Sequence, residues 1–213
     1  MGERRLVIAI DCDDVMVPTA YKTLNHYGEK YGHAVDPAAF YEGTAEDWGV
    51  TELKEASKRI ENYFRSNDFR DFAKVPFPEA VVAIPALARV HELHLVTGRA
   101  DFMEQTTQEM VDEYFPECFQ SVVHTNFFKD RFRRTKGQVC REIGAHVLID
   151  DHIVHGHSVI DDGVENAIIF GDYPWNERDY HPEWSMDDKL RPGLVRVSDW
   201  NRALLEVDRI AKR

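Results

Sequence analysis

The sequence predicts an α/β fold, a mostly parallel sheet flanked by helices, with a small helical unit inserted after the first strand. Two observations carry this. Short runs of consecutive apolar residues, the signature of strands buried on both faces, alternate with stretches of helical spacing. Between Val17 and Val75 the alternation stops, and only helical spacing occurs. Together they give a Rossmann-like core over residues 1–17 and 76–213 and a helical cap over 18–75.

The first strand is the run Leu6 to Ile10, which ends abruptly in Asp11-Cys12-Asp13-Asp14. After Pro18, Thr19 caps a helix through TAYKTLNHYGEKYG, with Gly28 and Gly32 as weak point and end. Asp36-Pro37 is a helix-start signal. Leu53, Ala56, Ile60, Tyr63 and Phe64 recur at helical spacing. VPFPEAVVAIPALARVHEL is a loop into a helix, with Pro85 in or near its first turns. Leu93 to Val96 is the second strand, ending in Thr97-Gly98-Arg99. Asp101 caps a helix through Tyr114, and SVVH is the third strand. Thr135 to Ile143 is helical and Gly144 ends it. HVLIDDH is a fourth strand that finishes, like the first, in paired acids, Asp150-Asp151. VENAIIFG is the fifth, GDYPWNERDYHPEWSMDD an ordered surface loop, and SDWNRALLEVDRIAKR a closing amphipathic helix capped by Ser198.

Carboxylates crowded at a strand end repel one another and raise each other's pKa unless a cation lies between them. The acidic turn after the first strand is therefore either a solvated loop or a metal site. In an open parallel sheet, ligands bind at the carboxyl ends of the strands. That edge collects Asp11, Asp13, Thr97, Asp150 and Asp151, and Lys136 at a helix start reaches it. The set is chemically complete for a phosphate monoester. A carboxylate can attack phosphorus, a second acid can move the proton, and a hydroxyl and an ammonium can hold the phosphate oxygens. Carboxylates from two strand ends suit Mg²⁺, a hard cation that keeps waters. His152, His155 and His157 fit no zinc spacing. Lys129 is an alternative to Lys136, Cys12 points into the core, and Asp14 is a turn or surface acid.

The chain has 213 residues, 43% of them hydrophobic, and a net charge of −12. The charge argues against polymeric nucleic acid or an anionic membrane as partner. No apolar run approaches the roughly 20 residues of a membrane span, and no signal peptide precedes the first strand. Three scattered cysteines favour a reducing, cytoplasmic compartment. A monomer and a homodimer are both open.

AIDCDDVMVPT, LVTGR, the lysine of RTKGQVCREIG and VLIDD resemble, in order, the four motifs of the haloacid dehalogenase superfamily of phosphotransfer enzymes. The resemblance covers roughly 5–18 and 77–176, and the Asp-x-Asp-x-Val form is similar to that of its phosphatases. It implies that Asp11 is the nucleophile, Asp13 the general acid/base, and Thr97 and Lys136 the phosphate holders. It implies Mg²⁺ bound by Asp11, the main-chain carbonyl of Asp13 and one of the Asp150-Asp151 pair, Asp151 being preferred, with Asp150 orienting Lys136. The inserted helical cap, LIDDH and IFGDYPWN resemble the 5′-nucleotidase, deoxyribonucleotidase-like branch. By that resemblance the substrate is a nucleoside monophosphate, and Phe40, Tyr41 and Trp48 are candidate base contacts. Gly98-Arg99 departs from that branch's usual sequence. Arg99 either binds substrate or pairs with an acid on the next helix, such as Asp101. The competing expectations are a phosphatase for another small phosphate ester and a non-hydrolytic phospho-acceptor or binding protein.

Overall fold

A computed structural model describes residues 4–41, 43–126, 134–176 and 192–213. Six parallel strands form one sheet: β1 (Val7–Ile10), β2 (Glu92–Thr97), β3 (Ser121–His124), β4 (Val147–Asp150), β5 (Asn166–Phe170) and β6 (Leu194–Val197). Their order is β3-β2-β1-β4-β5-β6. The chain builds outward from β1 to β3, then returns to lay β4 on the other side of β1. The direction reverses between β1 and β4, the crevice where ligands of such sheets bind. Ile10 pairs with Leu95 on one side and Ile149 on the other. The next residue, Asp11, donates its amide to the Ile149 carbonyl at 2.9 Å, so the two acidic strand ends share one level of the sheet.

The apolar runs are continuous because both faces are covered. Ile8 and Ile10 lie in one core with Ile84 and Leu87 of α4 (Pro78–Ala88), Met110 of α5 (Glu104–Tyr114) and Val207 of α8 (Trp200–Ala211). Ala9, Leu148 and Ile169 face the other way, against Val139 of α6 (Lys136–Glu142) and Val159 of α7 (Ile153–Asp161). Alternate residues of each strand thus serve opposite layers, as the pleat requires.

Between β1 and α4 lie α1 (Thr19–Tyr31), α2 (Leu53–Phe64) and α3 (Asn67–Phe72). Among the described residues of 18–75 there is no strand. This stretch has a core of its own, with Leu24, Tyr27, Val35, Trp48 and Ala56 buried together. Gly32 ends α1 in the left-handed conformation, φ 67°, which glycine adopts without Cβ strain. Where the insertion rejoins the sheet layer, the Phe77 amide donates to the Met16 carbonyl at 2.7 Å. Its two ends are therefore side by side.

Several local expectations are corrected. Asp14, not Thr19, serves the start of α1: both its oxygens accept from the Ala20 amide, at 3.0 and 3.1 Å. Asp199 rather than Ser198 caps α8, accepting from the Arg202 amide at 3.0 Å. Asp101 opens a short 3-10 turn ahead of α5 instead of capping it. Pro78 starts α4, and Pro85 sits inside that helix rather than in its first turns. Four-residue β6 was not legible, because LVRV is too short to show a period and carries Arg196. The start of the expected surface loop folds inward: Trp175 is fully buried in a 3-10 turn, Pro174–Asn176. Residues 177–191 of that loop, and Lys129, lie outside the described residues. No described helix is long and apolar enough to cross a membrane.

Candidate active site

Asp11 follows β1 directly and is buried. Its Oδ2 lies 2.9 Å from the Lys136 ammonium. Its Oδ1 is buried with no hydrogen-bond partner among the described residues. Lys136 is the first residue of α6, fixed there by a capping box between Thr135 and Gln138. From this position its ammonium also reaches Asp150 Oδ2 at 2.6 Å. Asp150, the last residue of β4, is fully engaged. Its Oδ1 accepts from the His152 amide and lies 2.9 Å from His155 Nδ1.

Asp151 is 1% exposed. Its Oδ2 accepts from Trp175 Nε1 at 2.8 Å and from the Tyr41 hydroxyl at 3.2 Å. Asp11, Asp150 and Asp151 each offer an oxygen, all within 4.8 Å of one another. A buried carboxylate oxygen without a hydrogen-bond partner, on an acid clustered with two others, is costly unless a cation takes it. The donor set, all hard oxygen, fits Mg²⁺. Asp150 has both oxygens committed to protein donors, so Asp11 and Asp151 are the carboxylates free to ligate.

Asp13 is placed differently from Asp11. Its carboxylate accepts from Arg99 Nε at 3.1 and 3.0 Å and from Arg99 Nη2 at 2.8 Å. It also accepts from the Thr19 hydroxyl at 2.5 Å. Arg99, 2% exposed, is further held by Thr107 Oγ1 and by the Ala73 carbonyl. The partner of Arg99 is thus Asp13, not Asp101; two-residue spacing suggested a local pair, but the sheet brings the β2 loop onto the β1 loop. Asp14, φ 58°, turns back into the protein and is 1% exposed rather than on the surface.

The electrostatics follow from this packing. Burial pushes the Asp11 carboxyl up to about 6 against the pull of Lys136. Burial also raises Asp14 and Asp151 well above the usual carboxylate range, and neighbouring acids add to it. For Asp13, burial raises the pKa but the Arg99 guanidinium outweighs it, and the net shift is down. Asp150 is lowered in the same way, burial being overcome by His155 and Lys136. Lys136 is raised: its burial is outweighed by Asp11 and Asp150.

Thr97, the last residue of β2, is fully buried, and its hydroxyl accepts from the Arg99 amide at 3.2 Å. Half-buried Gly98 follows it at the same edge. The three cap aromatics divide. Tyr41 reaches Asp151, as above. Phe40 is half-buried, its ring 5.9 Å from that of Trp175. Trp48 is 3% exposed and packs edge-on against Tyr27 inside the insertion. His155, Trp175 and Tyr173 were not expected at this edge. Tyr173 stacks on Trp175 at 4.6 Å and donates to the Asp14 carbonyl. The one sequence signal for Trp175 and Tyr173 was their position just after a strand's carboxyl end.

No family model and no curated protein matches the sequence. Solved structures do match the fold along nearly its whole length. A haloacid dehalogenase-like family hydrolase from Streptococcus pneumoniae superposes with a TM-score of 0.63 at 12% identity, covering 95% of this chain and 98% of its own. A protein described as a predicted phosphatase from Clostridium acetobutylicum gives 0.62 at 10% identity, covering 96% and 98%. A HAD-hydrolase from Bacillus subtilis, solved bound to magnesium, gives 0.58 at 12% identity, covering 96% and 99%. The chain therefore has the fold of haloacid dehalogenase-like hydrolases. At such identity the likeness speaks to the fold; the chemistry rests on the residues described above.

Proposed function

We propose that this chain is a divalent-cation-dependent phosphomonoester hydrolase that works through an aspartyl-phosphate at Asp11. The observation that carries the reading is the state of Asp11 itself. One oxygen is gripped by Lys136, the other is buried without a hydrogen-bond partner among the described residues, and the acid lies in a cluster with Asp150 and Asp151. Mg²⁺, held by Asp11, Asp151 and the Asp13 carbonyl, would supply charge neutralisation to phosphate oxygens beside the acids. Asp11 attacks phosphorus, and the ester P–O bond breaks. Lys136 and the Thr97 hydroxyl hold the non-bridging oxygens as charge redistributes. Asp13 gives a proton to the leaving alkoxide, then takes one from the water that cleaves the Asp11–phosphoryl bond. The Arg99 clamp keeps Asp13 ionised, which is the form needed for the second step; donation in the first requires Asp13 to leave Arg99 and take up a proton from solvent, which the proton taken from water in the second step restores.

Residues 18–75 act in this reading as a cap over the acids. The substrate is a small phosphate ester. Tyr21, Phe40, Tyr41 and Trp175 form a linked aromatic group beside Asp151, which supports a planar moiety and hence a nucleoside monophosphate. The test is hydrolysis of p-nitrophenyl phosphate with Mg²⁺, followed by a panel of phosphate esters that includes nucleotides. Asp11→Asn abolishes turnover if the reading is right; undiminished turnover in that variant removes the covalent route.

A further inference from the structure

Two hydrogen-bond donors from distant parts of the chain converge on one oxygen of Asp151. Trp175 Nε1 comes from the turn after β5, and the Tyr41 hydroxyl from the insertion. Trp175 is fully buried, so its indole has no freedom to swing away. The Tyr41 ring is fixed in turn, edge-on to His152 at 4.5 Å and to Trp175 at 5.6 Å. Both donors occupy Oδ2 and leave Oδ1 clear of them.

This has a consequence for which cation the site takes. A carboxylate with one oxygen committed to two donors can offer a cation only the other. Asp11 is restricted likewise, since Lys136 holds its Oδ2. Asp150 has protein donors on both oxygens. Ca²⁺ takes about 6–8 oxygen ligands and commonly fills part of that shell with a bidentate carboxylate, whereas Mg²⁺ demands six in near-octahedral geometry, accepts single oxygens and keeps its waters. We propose that Trp175 and Tyr41 are cation-selectivity residues, which hold Asp151 to one-oxygen ligation and so set the site against larger cations. Tyr41 also belongs to the insertion, so this restriction is complete only when the insertion lies over the acids. The inference rests on the reading of Asp11 and Asp151 as cation ligands, but it does not require turnover.

The test is calorimetric titration of the full chain, without substrate, with Mg²⁺ and separately with Ca²⁺. Tyr41→Phe removes only a hydroxyl from a residue that is 38% exposed, and Trp175→Phe removes the indole donor. Altered partners of metal ligands typically change affinity about 10- to 100-fold. The expected result is Mg²⁺ binding weakened about tenfold or more by Trp175→Phe and less by Tyr41→Phe. In both variants the ratio of Ca²⁺ to Mg²⁺ affinity rises. A purely structural role would lower thermal stability and leave that ratio alone. An unchanged ratio in folded Tyr41→Phe overturns the proposal, and this variant decides if Trp175→Phe does not fold. Wild-type protein that binds neither cation overturns it as well. If p-nitrophenyl phosphate is hydrolysed with Mg²⁺ while the ratio stays fixed, the selectivity inference falls and the phosphatase reading stands.

Discussion

The Arg99 guanidinium closes on the Asp13 carboxylate through both Nε and Nη2, the latter at 2.8 Å, in a nearly buried pair. The same guanidinium reaches the Ala73 carbonyl, at the end of the insertion. One side chain thus ties the second acid of the site to the segment that carries the insertion back to the sheet. Breaking a buried pair by removing one partner strands the other charge and costs about 3–5 kcal/mol. Arg99→Met should lower the unfolding free energy by about 3 kcal/mol, the low end because Asp13 keeps some solvent contact. Pairing it with Asp13→Asn should return part of that loss. Urea melts of the two variants check this; a double variant no more stable than Arg99→Met alone would dismiss the pair as a source of stability.

Cation binding should stabilise the protein in a pH-dependent way. Asp11 is raised to about 6 in the fold, with Asp14 and Asp151 higher than usual too. A folded state that holds protons the unfolded chain has released loses stability as pH rises from the ordinary carboxylate range through the folded pKa. Depressed His26 and His124 act oppositely, costing stability as pH falls below their ordinary value. The increment produced by Mg²⁺ separates the two. Cation at about 100 times its Kd adds about 2.7 kcal/mol, or about 5–10 °C in Tm for a chain of this size. That increment should be larger at about pH 7.5 than at about pH 5.5, because protons compete for the same oxygens. Equal increments at both would remove the acids as the binding groups.

His155 should act on turnover through Asp150. Its Nδ1 lies 2.9 Å from Asp150 Oδ1, and Asp150 in turn holds Lys136. A hydrogen bond to a charged group contributes about 1.5–3 kcal/mol, so His155→Leu should cut kcat about 10- to 100-fold with little change in KM. His155→Asn, whose amide can donate from the Nδ1 position, should recover most of it. If the asparagine and leucine variants are equally impaired, the hydrogen bond is not the cause.

Trp48 should matter to stability and not to substrate. Buried in the core of the insertion, it should cost about 3–5 kcal/mol on truncation to alanine. Phe40→Ala should instead raise KM for a nucleotide more than for p-nitrophenyl phosphate. Thermal melts and Michaelis curves on the two variants separate the roles; a Trp48→Ala protein with wild-type Tm and raised KM would reverse them.

The sheet was legible because its strands are unbroken apolar runs ending in polar turns, and β1, β2 and β4 carry their chemistry within a residue or two of their ends. Asp11, Thr97, Lys136 and Asp150 fall at one edge by topology alone. What could not be read were relations between loops. Arg99 meets Asp13 and Trp175 meets Asp151 across long sequence separations, and no local period encodes such a meeting. Tyr41, Phe40 and Trp48 looked equivalent in the sequence; only the packing of the insertion distinguishes the ring that reaches the acids from the one that fills its core.

The backbone bond from Phe77 to Met16 lets the helical insertion leave and re-enter the sheet layer through adjacent doorposts. A segment so attached can be lengthened, shortened or exchanged without disturbing the register of β1 against β2 and β4. If the proposed chemistry holds, the sheet would fix the reaction centre and the insertion would be an interchangeable head placed over it.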